Sequence, residues 1–136
     1  MTQSHIILVR HGEASAGWSV HLDPGLSAKG CEQAKNCGKS LIDELSYYQL
    51  LSSPKKRAIE TMEIMNKGGK NYFELDHRFI EIPSGNIDAD KKKEWLVSIF
   101  TTPIEELPET VKEWRNKLIN WLKEAECNFI VTTHFM

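Results

Sequence analysis

Ile6-Ile7-Leu8-Val9 is a short, uninterrupted run of branched apolar residues, and it stops at Arg10-His11-Gly12. Such a run reads as a strand buried on both faces of a sheet. A cation, an imidazole and a chain-reversing glycine just past its C-terminal end sit where open α/β sheets bind their ligands. The arrangement recurs along the chain. Leu50-Leu51-Ser52 is a second short strand, after which Arg57 falls in the first turn of a helix, and Phe129-Ile130-Val131-Thr132-Thr133 is another, delivering His134 at its end. Arg10, His11, Arg57 and His134 are thereby expected together on the C-terminal rim of one parallel sheet.

The segments between these strands carry helical periods. Ser27 is placed to cap a helix over roughly 27–45, with Cys31, Ala34, Gly38, Leu41 and Leu45 as its apolar stripe. Ser53-Pro54 suits the start of a second helix reaching about Asn66, with Ala58, Thr61, Met62 and Met65 facing inward and Gly68-Gly69 stopping it. Tyr72 to Leu75 reads as a third strand, and Phe79-Ile80-Glu81-Ile82 as a short apolar run broken by Pro83 and Gly85, in which Glu81 is out of place. A short helix is expected over 88–100. Another follows in which Val111, Trp114, Leu118, Trp121, Leu122 and Ala125 form one broad apolar face. Ala14 to Gly25 has no period and reads as a long loop, a length that usually goes with function. Strand alternating with helix implies an α/β fold: a three-layer sandwich around a doubly wound, mainly parallel sheet with right-handed crossovers.

With 136 residues the chain fits a single domain, 1–136, able to bury its own core without a disulfide or structural metal. The 17 basic and 19 acidic residues are spread along it, which argues against a nucleic-acid or membrane partner, and Lys91-Lys92-Lys93 reads as a solvated helix face. Cys31, Cys37 and Cys127 lack C-x-x-C spacing and read as small core residues in a reducing compartment. No stretch has the length of a signal h-region or a membrane span, so a soluble cytoplasmic protein is expected. His5, His21 and His77 show no H-x-H or H-E-x-x-H spacing, so neither a metal site nor a cofactor is expected.

Two guanidiniums can grip an anion bidentately, while one imidazole acts as nucleophile and another donates to developing charge. That set suits a phosphoryl group, whose transfer needs mainly positioning and charge stabilisation. At these residues the chain resembles the histidine phosphatase superfamily, the phosphoglycerate mutase-like or RHG family. Arg10-His11-Gly12-Glu13 is similar to its signature, and Asp23-Pro24-Gly25-Leu26-Ser27 with Gly30, Gln33 and Ala34 to its D-x-x-L-S-x-x-G-x-x-Q-A segment. Ser52-Ser53-Pro54 with Arg57 and Thr61 is similar to S-S-P-x-x-R-A-x-x-T, Glu81-Ile82 with Gly85 to E-I-x-x-G, and Thr133-His134 to the segment of the second histidine.

The resemblance implies a phosphoglycerate mutase-like fold and a metal-independent phosphatase in which His11 becomes a phosphohistidine. Glu81 would serve as acid and then base, and Arg10, Arg57, His134 and Gly12 would bind the phosphoryl group. A small phosphorylated metabolite is the expected substrate, and the brief segment between Glu81 and His134 favours phosphatase over mutase. Mutase-type transfer, a phosphoprotein phosphatase and an inactive phosphate-binding domain stand as alternatives. The family's further helix and strand after the second histidine have no counterpart before Met136, so a shortened member, or one completed by a partner subunit in a homo-oligomer, is expected.

Overall fold

The computed structural model describes residues 3–16, 23–67, 71–85 and 87–134. Four strands, β1 (Ile6–Arg10), β2 (Gln49–Ser52), β3 (Phe73–Leu75) and β4 (Phe129–Thr133), form one sheet in the order β1-β4-β2-β3. Every pairing is parallel, and β1 matches β4 in register from Ile6 against Phe129 to Arg10 against Thr133. The helices are α1 (Ala28–Ser40), a single turn α2 (Glu44–Tyr47), α3 (Lys56–Met65), α4 (Lys92–Thr101) and α5 (Glu109–Glu124). The α/β fold expected from the sequence is the fold observed.

Alternation along the strands builds two cores, because successive side chains leave opposite faces of the sheet. Val9, Leu50 and Ile130 meet Ala34 of α1 and Met62 and Met65 of α3, while Leu51 and Val131 meet Trp121 of α5 and Phe79. Trp121 is held edge-on by Phe79 and Phe129, each ring centroid 5.0 Å away. A third cluster, Ile82 with Leu107 and Val111, is packed by Trp95, Leu96 and Ile99 of α4. Burying a side chain such as Met62 or Ile130 completely contributes about 1.5–3 kcal/mol, and these two lie at the centre of the molecule with 0% exposure.

Several expectations are corrected. β1 is an edge strand of the described sheet, not a strand buried on both faces, and Leu8 is 55% exposed. α1 ends at Ser40, five residues before Leu45, which is buried instead by the separate turn α2. The inward face of α1 is Gly30, Ala34 and Gly38, small residues that admit α3 closely, so Cys31 is exposed. A Cβ on Gly38 would stand 2.6 Å from the Met65 carbonyl oxygen. Cys127 is also exposed and Cys37 only half-buried, so the cysteines are not core residues. α3 starts at Lys56, later than Ser53-Pro54 suggests, and Leu122 is 44% exposed. Lys92 is half-buried, unlike its neighbours Lys91 and Lys93. Gly68 and Gly69, and Gly17 to Leu22 of the long loop, lie outside the described residues. No helix among the described residues is long and apolar enough to cross a membrane.

Candidate active site

The strand ends converge as their sequence suggests. The His11 N–H donates to the Thr133 carbonyl at 2.9 Å and the Ser53 N–H to the Thr132 carbonyl at 2.9 Å, so the parallel ladder continues one residue beyond β1 and β2. This fixes the residue after each of three strands on one rim. Arg10, His11, Gly12, Arg57, Glu81 and His134 all line a single cleft of about 790 Å³.

At the centre are two imidazoles and a buried guanidinium. The His11 and His134 rings stand edge to face, centroids 5.1 Å apart. His11 Nδ1–H donates to the Gly12 carbonyl at 2.7 Å, which assigns the proton to Nδ1 and leaves the lone pair on Nε2. Arg57 Nε–H donates to that Nε2 across a long 3.3 Å. Burial first, then the positive charges of Arg57 and Arg10, hold the His11 pKa below its usual 6.5, against the opposing effects of the Gly12 carbonyl and Glu81. His134 is pushed down to about 3, chiefly by burial and then by Arg57, His11, Lys55 and Lys92. Both rings are neutral near pH 7.

Arg57 is 2% exposed, on the first turn of α3. Its Nη2 lies 3.1 Å from Glu81 Oε1 and its Nη1 3.9 Å from Asp23 Oδ1. The first pair is not aligned for a hydrogen bond and the second is too long for one, so Nη1 and Nη2 are ion-paired but not hydrogen-bonded, and His134 Nδ1 is likewise buried without a hydrogen-bond partner among the described residues. Such groups are rare in folded proteins and ask for an explanation. Glu81 owes its place to its neighbours. Ile82 is buried against α4 and α5, and the Ile80 and Phe79 carbonyls accept from Trp114 Nε1 (3.0 Å) and Thr133 Oγ1 (2.8 Å). A carboxylate between two isoleucines is therefore pinned at the cleft wall by the apolar pair.

The loop after β1 is shaped by close backbone approach. A Cβ on Gly12 would come within 2.5 Å of the Gly30 carbonyl oxygen, and one on Gly30 within 2.1 Å of that of Glu13. The Gly12 N–H donates to Thr61 Oγ1 (3.0 Å), and Thr61 donates to the Arg57 carbonyl (2.7 Å), so the loop is tied directly to the helix bearing Arg57. Gly12, expected to bind phosphate, lines the cleft with its N–H engaged by Thr61, and its missing side chain lets α1 approach. Ser27 caps α1 by accepting from the Gly30 N–H at 3.0 Å, as its position suggested.

Sequence reasoning missed the lock between the Asp23 loop and α3. Asp23 Oδ1 accepts from the Lys56 N–H at 2.9 Å, capping a helix with no side-chain cap of its own, and Glu60 Oε1 accepts from the Leu26 N–H at 2.8 Å. It also missed Lys29, Gln33, Lys92 and Leu96 on the cleft walls. Gln33 stood in a family-like segment without being given a place in the site, and no spacing marks Lys29, Lys92 or Leu96, because they reach the cleft from α1 and α4 through the packing of those helices. Among the described residues no group of three His, Cys, Asp or Glu side chains could hold a metal ion.

An all-parallel α/β sheet carrying paired histidines and a buried arginine on its C-terminal rim defines a class of α/β protein with its cleft at the strand ends. Within that class, residues 6–129 match the model of the histidine phosphatase superfamily (branch 1), and the chain belongs to this family. Among curated proteins none matches at the sequence level. Solved structures share the fold. YhfR of Bacillus stearothermophilus superposes with a TM-score of 0.69 at 22% identity, covering 97% of this chain and 74% of that one. Phosphoserine phosphatase of Entamoeba histolytica, in complex with 3-phosphoglyceric acid, gives 0.67 at 22% identity with the same coverage, 97% and 74%. Phosphoglycerate mutase of Bacillus anthracis gives 0.65 at 20% identity, covering 96% and 74%.

Proposed function

We propose that this chain hydrolyses a small phosphomonoester through a phosphohistidine on His11, without a metal ion. The observation that carries this reading is the assigned lone pair of His11 Nε2, beside buried Arg57 nitrogens that are ion-paired with Glu81 and Asp23 but hydrogen-bonded to nothing, and a buried His134 Nδ1 with no hydrogen-bond partner among the described residues. A phosphoryl group fits both features, since its phosphorus takes the lone pair and its equatorial oxygens take the donors.

In the first half-reaction His11 Nε2 attacks phosphorus in line with the ester oxygen. The Nε2–P bond forms, the P–O bond breaks, and Glu81 delivers its proton to the departing alkoxide. The long Arg57–His11 bond gives way as the guanidinium transfers to the phosphoryl oxygens. In the second, Glu81 takes a proton from water as the oxygen attacks phosphorus. The Nε2–P bond breaks and inorganic phosphate leaves. Arg10 and Arg57 hold the anion throughout. The phosphatase and mutase relatives make a small phosphorylated metabolite the favoured substrate class. Three unbridged cysteines, two of them exposed, support a reducing compartment such as the cytoplasm for this activity.

The test is release of p-nitrophenol from p-nitrophenyl phosphate in EDTA. Turnover by the wild-type chain, loss of it in a folded His11→Ala variant, and an acid-labile phosphoenzyme trapped by rapid quench are expected. Absence of turnover from a folded wild-type sample, or full activity of His11→Ala, overturns the reading.

A further inference from the structure

Ser53 is fully buried and follows β2 directly, and everything around it is tied down. Its N–H donates to the Thr132 carbonyl (2.9 Å), and its own carbonyl accepts from Ser52 Oγ (2.8 Å). Its hydroxyl oxygen accepts from the Lys55 N–H at 3.3 Å and lies 2.8 Å from His134 Nε2. Among the described residues no other acceptor is within reach of that hydroxyl, so its proton goes to Nε2. An imidazole nitrogen that accepts a hydrogen bond carries the lone pair, and in a neutral ring the proton then sits on the other nitrogen.

We propose that Ser53 is a positioning residue that fixes His134 as the Nδ1–H tautomer, so that its free N–H serves as a neutral donor to an anionic oxygen in the cleft. The proposal rests on the phosphoryl-transfer reading above. The opposite tautomer would turn a lone pair toward the bound anion, acceptor against acceptor. Protonating the ring would also supply a donor, but the buried ring faces Arg57 from α3, Lys55 just before that helix, Lys92 from α4 and His11 from the loop after β1, and that setting keeps it neutral. The tautomer is therefore the one remaining way to make Nδ1 a donor. Nδ1 itself is buried and has no hydrogen-bond partner within the described protein, so it is left open to such an oxygen. The hydroxyl of a residue that touches no substrate thus decides whether a residue that does touch it attracts or repels.

Long-range 1H–15N spectra of the 15N-histidine-labelled full chain at pH 7.5 test this, with His134 identified among the five histidines by a His134→Gln variant. In the wild type, Nδ1 is expected in the protonated range and Nε2 in the unprotonated range, and added inorganic phosphate should shift the Nδ1–H proton. Ser53→Ala should move the ring toward the Nε2–H form and weaken inorganic phosphate binding about tenfold or more, as for loss of a hydrogen bond to a charged group. Ser53→Thr, which keeps the hydroxyl, should restore the wild-type pattern. Because Ser53→Ala also removes the acceptor of the Lys55 N–H, the tautomer and not the affinity is decisive. A protonated Nε2 in the wild type, or an unchanged tautomer in folded Ser53→Ala, overturns the proposal, and the wild-type spectrum decides alone should the variants not fold. The expected tautomer in a chain that neither binds phosphate nor turns over would sink the phosphatase reading and leave the Ser53–His134 pairing standing.

Discussion

His11 and His134 are five ångströms apart, yet the protein uses each neutral ring differently: Nε2 of one is a lone pair, and Nδ1 of the other is a donor. Their depressed pKa values set the pH behaviour. A nucleophilic His11 must be unprotonated, so kcat/KM should fall as the pH drops through its pKa, and that limb should lie below 6.5. Stability follows from the second ring. Below 6.5 the unfolded chain protonates His134, while the folded chain resists until about 3, so the unfolded state binds more protons and stability is lost as the pH is lowered across that window. The slope from this group is at most about 1.4 kcal/mol per pH unit, and less for the part of the half-buried ring that water screens. His134→Gln should flatten the difference, measured as urea unfolding at pH 6.5 and pH 4.5 in both proteins; an unchanged slope would contradict it. His11, Arg57 and His134 were legible as a set because each follows an apolar strand or opens the helix after one. Their bonding partners were not, since a tautomer depends on contacts such as that of His134 with Ser53, 81 residues away.

Elements meet here through small residues and capping carboxylates. Gly30 and Gly38 let α1 approach the loop after β1 and the end of α3, and Asp23 caps α3 from a distant loop. Gly12→Ala forces a methyl carbon to 2.5 Å from a backbone oxygen, which no rotamer change relieves. A loss of roughly 1–3 kcal/mol in unfolding free energy is expected, the scale of overpacking elsewhere. Turnover should fall further than stability, because the same loop carries His11; chemical denaturation beside a p-nitrophenyl phosphate assay separates the two, and a variant as stable as wild type would refute the packing account. Element type was readable where the period was long, as in α5. Element ends were not: Leu41 and Leu45 continue the period of α1, yet the helix stops at Ser40 and Leu45 is buried by the separate turn α2, and Ser53-Pro54 looked like a helix start because Ser53 was credited as a cap when its hydroxyl serves His134.

The whole molecule reads as one sheet with β1 at one of its described edges, and Leu8, taken from its neighbours as a core residue, is more than half exposed there. Composition signals that a residue wants burial; which strand lies at the edge is a matter of topology, and a run of four apolar residues does not encode it. The family could be read from five short segments because they hold the rim together. The wall that α4 supplies, Lys92 and Leu96, carries no such mark.

The pairing of β1 with β4 also orders events in time. His5 and Asn128, bonded at the foot of that pair, are 123 residues apart in the chain. The α1–α3 pair closes over a far shorter stretch, so it should form first, with long-range parallel pairing slow by comparison. Pulse-labelled hydrogen exchange during refolding should find α1 and α3 amides protected before those of β1, and simultaneous protection would count against this order. On the ribosome, at about 5–20 residues per second, His11 would emerge on the order of ten seconds before His134. For that interval the nascent chain carries His11 without Arg57 and His134 both in place around it, so on the proposed reading phosphoryl transfer is withheld until the last described strand has docked.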